Sequence, residues 1–183
     1  WPLNKMKKVS LKDKNFKLFI ESAKIQEAID AISVKINTDY AKSNPVFICI
    51  LNGSFMFASD LMKRFNDNCE VTFLKVASYE GTQSTGKIKE LIGLNESISN
   101  KDVIIVEDIV DTGATIDAVI NKLKSYNPKS IKVSTLLYKP LAYKGVFPID
   151  YAAIEVGNEF LVGFGLDYNG LGRNLEEIYI IEE

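Results

Sequence analysis

The sequence predicts an α/β domain, a mostly parallel twisted sheet flanked by helices. Two observations lead there. Val46–Leu51 and Val103–Val106 are short apolar runs without the polar alternation of a half-solvated strand, as suits strands buried on both faces. Each run then passes through a small-residue turn, Asn52-Gly53-Ser54 or Thr112-Gly113-Ala114-Thr115, into a segment with helical apolar spacing. The chain of 183 residues, 46% apolar, is long enough for one domain with a real core, and no second domain is expected within residues 1–183.

In chain order, Phe16–Ile20 predicts a first short strand, with Ser22 as cap of the helix that follows. Ile25, Ala28, Ile29, Ile32 and Ile36 recur at helical spacing with charged residues between them, which makes that helix amphipathic. Pro45 opens the Val46–Leu51 strand, and Phe57, Leu61, Met62 and Phe65 make the next helix. Val71–Val76 reads as a third strand. The polar, Gly-punctuated stretch from Ser78 to Lys87 is longer than a hairpin needs, and Ile88–Leu94 returns as the other arm. After Val103–Val106, a helix presents Ile116, Val119, Ile120 and Leu123 on one face until Pro128 breaks the chain. Ser130–Tyr138 is a fifth strand ending at Lys139-Pro140. Tyr151–Val156 and Phe160–Gly163 are short strands, a turn-rich stretch carries Asp167 and Arg173, and Ile178–Ile181 closes the sheet or a hood beside it.

Composition removes several function classes. Lys and Arg total 22 against 24 Asp and Glu, so no basic field points to nucleic acid. No apolar run approaches a membrane span and no signal-peptide core is visible, so a cytoplasmic location is expected. Histidine is absent, which excludes Ser-His-Asp and Cys-His catalysis and His-ligated zinc. Cys49 and Cys69 are too few for a disulfide framework. Chemistry must therefore come from carboxylates, lysines, backbone amides or a hard metal ion, of which Mg²⁺ is the natural choice.

Residues 103–116 are where those groups concentrate. Thr112, Gly113, Ala114 and Thr115 lie where a helix leaves its first N–H groups unpaired, beside two hydroxyls. That arrangement suits a phosphate, which a helix N-terminus favours by roughly 0.3–1 kcal/mol. Glu107, Asp108 and Asp111 would repel a bare phosphate, so the ligand should also carry hydroxyls, a metal or a proton to be removed. The alternative is an acidic loop that caps a helix, with Asp111 or Thr112 as N-cap. Placement of Glu107 and Asp108 at the carboxyl end of a buried strand favours a ligand site.

Val103 to Thr115, an apolar run into Glu-Asp, two apolar residues and Asp-Thr-Gly-x-Thr, resembles the phosphoribosyl-diphosphate signature of type I phosphoribosyltransferases. The resemblance extends from about Phe16 to the C-terminus. Phe160, Leu161, Leu166-Asp167-Tyr168-Asn169 and Arg173 resemble the purine hood of the 6-oxopurine branch, and Lys139 falls where that branch has its O6-binding lysine. Ser78-Tyr79 and the Ser-Thr-Gly that follows resemble the branch's mobile active-site loop, implying a lid. Two departures stand out: Leu51-Asn52-Gly53 replaces Leu-Lys-Gly at a turn that carries a non-proline cis peptide in the family, and Ala114 stands where some relatives have lysine.

The resemblance implies the type I phosphoribosyltransferase fold, with a small hood over the base site built from the N-terminal segment and about residues 139–183. It implies transfer of the 5-phosphoribosyl group of phosphoribosyl diphosphate to hypoxanthine or guanine, with Mg²⁺, by a homo-oligomer, dimer or tetramer. Asp111 would be the general base toward N7. Glu107 and Asp108 would hold the ribose hydroxyls, directly or through a metal, and Thr112, Gly113, Ala114 and Thr115 the 5′-phosphate. Asn52, Gly53, Ser78, Tyr79 and Arg173 would face pyrophosphate; Lys139, Phe160, Leu161 and Asp167 would form the purine site. Glu107 and Asp108 would serve one Mg²⁺, and Asp167 would help to hold a second. Alternatives are a transferase preferring xanthine, or a regulatory protein that senses phosphoribosyl diphosphate without transferase activity.

Overall fold

In the computed structural model, the described residues are 7–78, 88–94 and 97–182. The stretch expected to act as a lid, Tyr79 included, lies outside them, as does the side chain of Ser78. Ten strands and three helices follow one another in the described chain. The larger sheet comprises β3 (Val46–Leu51), β4 (Glu70–Ser78), β5 (Ile88–Ile92), β6 (Asp102–Val110), β7 (Ser130–Tyr138) and β8 (Tyr151–Glu155). Its order is β5-β4-β3-β6-β7-β8, with every neighbouring pair parallel except the β4–β5 hairpin.

Both faces of this sheet are covered, which explains why its central strands are apolar without interruption. Phe47 and Cys49 of β3 and Ile104 and Val106 of β6 pack on one side with α1 (Ser22–Asp39) and α2 (Phe55–Met62). Val46, Ile48 and Ile50, with Val103 and Ile105, pack on the other side with α3 (Ala114–Lys124). Burial of Ile25, Ile29, Ile32 and Ile36 attaches α1, each side chain contributing about 1.5–3 kcal/mol. Because β3-α2-β4 and β6-α3-β7 wind away from each other, right-handed crossovers put α2 and α3 on opposite faces. The winding reverses between β3 and β6, and a crevice opens at their carboxyl ends.

The smaller sheet is antiparallel, in the order β1-β2-β10-β9, from β1 (Lys8–Leu11), β2 (Lys14–Ile20), β9 (Leu161–Val162) and β10 (Ile178–Ile181). Tyr151–Glu155 joins the larger sheet instead, so the C-terminal share of the small sheet begins at Leu161. Ser22 does not cap α1: it is the first helical residue, and its hydroxyl donates to Glu176 Oε1 at 3.1 Å. A distant carboxylate has taken the hydroxyl that a local cap would use. Phe65 lies beyond the end of α2 and packs edge-on to Phe47, ring centroids 5.2 Å apart.

Candidate active site

Glu107 and Asp108 stand on a strand rather than in a loop after one, and Asp111 directly follows its last residue. β6 continues past Val106 to Val110, its pairing with β7 passing from Glu107–Thr135 to Ile109–Leu137. Asp108 lies against the turn after β3, so closely that a Cβ on Gly53 would overlap its carboxylate. Glycine at 53 is thus required by the approach of a neighbouring side chain, and it brings the Asn52–Ser54 turn to the acidic end of β6. The Leu51–Asn52 peptide is cis, as the resemblance implied. Asn52 is exposed beside it. Glu107 is only 7% exposed, and burial, then the Asp108 carboxylate, push its carboxyl well above the usual carboxylate range.

The phosphate cradle follows. Gly113, at φ 88°, occupies the N-cap of α3, so neither Asp111 nor Thr112 caps the helix. The chain must turn through the left-handed region there, where glycine bears no side-chain penalty. Gly113 is buried, whereas Thr112, Ala114 and Thr115 are exposed to whatever occupies the crevice. Asp117, the acidic residue of the first turn, is drawn aside: its carboxylate accepts from Val146 N at 3.1 and 3.2 Å. Residues Glu107 to Ile116 line a cavity of about 230 Å³.

Lys139 extends the β6–β7 ladder by one bond, donating from its backbone to Val110 O at 3.0 Å. Its ammonium sits 3.0 Å from Asp111 Oδ2, the lysine side chain 9% exposed and the aspartate 51%. In the hood, Phe160 is exposed and forms an aromatic group with Phe16 and Tyr168, while Leu161 is buried. Arg173 pairs with Asp167 at 2.7 Å and donates to Gly165 O at 2.7 Å. Gly165 in turn packs on the carbonyl of Gly53, which joins the hood to the switch-point turn.

A family model described as the phosphoribosyl transferase domain matches residues 20–169. The chain belongs to that family. A hypoxanthine-guanine-xanthine phosphoribosyltransferase of Tritrichomonas foetus is 37% identical over 160 residues, 87% of this chain and 87% of that one. A bifunctional TilS/HprT protein of Listeria monocytogenes is 38% identical over 167 residues, 91% of this chain; the match spans only 26% of that longer protein. Among solved structures, a hypoxanthine phosphoribosyltransferase from Staphylococcus aureus superposes with a TM-score of 0.87 at 37% identity, covering 91% of each chain. The sheet order and covering helices are those of the type I phosphoribosyltransferase fold.

Within this phosphoribosyl transferase domain, the fold gathers Asn52, Gly53, Glu107, Asp108, Asp111, the cradle and Lys139 at the carboxyl ends of three strands, β3, β6 and β7. Asp167 stands apart from the Glu107–Asp108 pair. One of its oxygens is taken by Arg173 and the other accepts from Gly170 N at 2.7 Å, and no group of three or more metal-ligating side chains occurs among the described residues. Two adjacent carboxylates fit Mg²⁺ nonetheless, since that ion commonly takes one or two carboxylates together with substrate phosphates. The Glu107 carboxyl, disfavoured as an anion by burial and by its neighbour, is the group a cation would relieve. Tyr143 and Lys144, which brace the cradle, escaped the sequence reading, for they lie in a segment without periodicity or motif.

Proposed function

We propose that the protein transfers the 5-phosphoribosyl group of phosphoribosyl diphosphate to N9 of hypoxanthine or guanine and releases pyrophosphate, as a cytoplasmic homo-oligomer that uses Mg²⁺. The observation that carries this reading is the Lys139–Asp111 pair beside the cradle. O6 and N7 of a 6-oxopurine project from one edge of the base. A donor and an acceptor 3.0 Å apart match that edge: Lys139 donates to O6, and Asp111 accepts the proton from N7. Adenine carries a donor at position 6 and would meet the ammonium with the wrong polarity.

The C1′–oxygen bond to pyrophosphate breaks as the C1′–N9 bond forms, and the N7 proton passes to an Asp111 oxygen. Thr112 to Thr115 anchor the 5′-phosphate, and Glu107 and Asp108 orient the ribose hydroxyls, so that remote binding energy holds the reacting atoms in place. Asn52, Gly53 and Arg173, with Ser78 and Tyr79, receive pyrophosphate; Phe160 stacks on the purine, the Leu161 backbone reads its edge, and Asp167 holds Arg173. Mg²⁺ held at Glu107 and Asp108, with a second ion that Asp167 would help to hold, would neutralise charge on the departing pyrophosphate.

Incubation with phosphoribosyl diphosphate, Mg²⁺ and hypoxanthine tests the reading, with the product identified by mass. Inosine monophosphate and pyrophosphate in equal amounts are expected. Unchanged hypoxanthine would remove the transferase assignment, and a product from xanthine alone would move it to that base. Sedimentation velocity reads the oligomer.

A further inference from the structure

Only a few residues separate Lys139 from a ring that touches the phosphate cradle. Ala142 N and Tyr143 N both donate to Lys139 O at 3.1 Å, which turns the chain back toward the end of β6. The Tyr143 ring then fills the space where a side chain at position 113 would stand, and the Gly145 Cα closes the same space at 3.1 Å. Lys144 N donates to Thr112 O at 2.9 Å, and Val146 N donates to the Asp117 carboxylate. The segment therefore grips the cradle on both sides of Gly113. The ring has its own supports: its hydroxyl donates to Phe147 O, and it meets Tyr138 edge-on with centroids 5.5 Å apart.

We propose that Tyr143 is a positioning residue for phosphoribosyl transfer, its ring holding the Thr112–Thr115 cradle in register with Lys139. The inference rests on the function proposed above. A glycine at φ 88° has many other conformations open to it, and the ring excludes those that would swing Thr112 or Thr115 away from the helix axis. The cradle places one end of the sugar phosphate and Lys139 places the base, so the segment between them sets how C1′ and N9 meet. Misplacement of reacting atoms by about 1 Å can cost on the order of a hundredfold in rate.

Tyr143→Ala and Tyr143→Phe, compared with wild type, separate positioning from mere packing. Measurements are the melting temperature, the Kd for phosphoribosyl diphosphate by calorimetry, and KM and kcat with hypoxanthine. Tyr143→Ala should raise the Kd and KM for phosphoribosyl diphosphate about tenfold or more and lower kcat, with the KM for hypoxanthine within about twofold. Tyr143→Phe keeps the ring and should restore the phosphoribosyl diphosphate constants to within about threefold of wild type. If Tyr143→Ala does not fold, Tyr143→Leu, which keeps apolar volume without the ring, should show the same selective rise. Wild-type constants in Tyr143→Ala, or equal losses toward both substrates, would overturn the positioning role while leaving the transferase reading intact. A wild-type protein that neither binds phosphoribosyl diphosphate nor turns over would overturn both.

Discussion

Lys139 Nζ and Asp111 Oδ2 lie 3.0 Å apart, although the two residues are separated by 28 positions; each directly follows the last residue of one of two neighbouring parallel strands, β7 and β6. The lysine is buried and its partner faces the crevice. Removal of the ammonium should act on the base alone. Lys139→Ala is expected to raise the KM for hypoxanthine about ten- to a hundredfold, the range of one charged hydrogen bond, with the KM for phosphoribosyl diphosphate little changed. Steady-state kinetics with each substrate varied in turn checks this; an equal loss toward both would make the lysine structural.

Asp111→Asn keeps the shape and removes the proton acceptor. Its kcat should fall by about 10²- to 10⁴-fold while calorimetry finds phosphoribosyl diphosphate binding preserved. A kcat equal to wild type would take the general-base role from Asp111.

Glu107 gives the protein a pH dependence of defined sign. Its carboxyl is raised in the folded state by burial and by Asp108, so the folded chain holds a proton that the unfolded chain releases. Stability from this group is complete below the usual carboxylate range and is lost as pH rises through the elevated folded value. Melting temperatures of the ligand-free protein should therefore decline across that window, and Glu107→Gln should flatten the decline while weakening phosphoribosyl diphosphate binding. A thermal-shift series in pH on both proteins reads the difference.

Much of this was legible in the residues. The bounds of β3 follow from a buried apolar run, those of β7 match the expected Ser130–Tyr138, and the α3 face of Ile116, Val119, Ile120 and Leu123 is buried as its spacing predicts. Less legible was the continuation of β6 through Glu107 and Asp108. Two adjacent carboxylates read as the end of a buried strand; what retains them is pairing with β7 and the room that Gly53 leaves. The signature motif located the cradle but not its brace, because Tyr143 reaches Gly113 through a tertiary contact with no local pattern. Ser22 illustrates the same limit, since its hydroxyl answers to Glu176 across the fold.

Core packing and chemistry should separate cleanly. Ile29 of α1 is fully buried, and Ile29→Ala is expected to cost about 2–5 kcal/mol of stability by denaturant titration. The folded fraction should retain the wild-type kcat, because the side chain faces the sheet and not the crevice.

Lys139 and Asp111 would read a 6-oxopurine beside a phosphoribosyl-diphosphate cradle. That recognition is tested most directly by kcat/KM for pyrophosphate release with hypoxanthine, guanine, xanthine and adenine, each with phosphoribosyl diphosphate and Mg²⁺. Turnover is expected with hypoxanthine and guanine and essentially none with adenine. Adenine as the preferred base, or no pyrophosphate release with any base despite bound phosphoribosyl diphosphate, would contradict it.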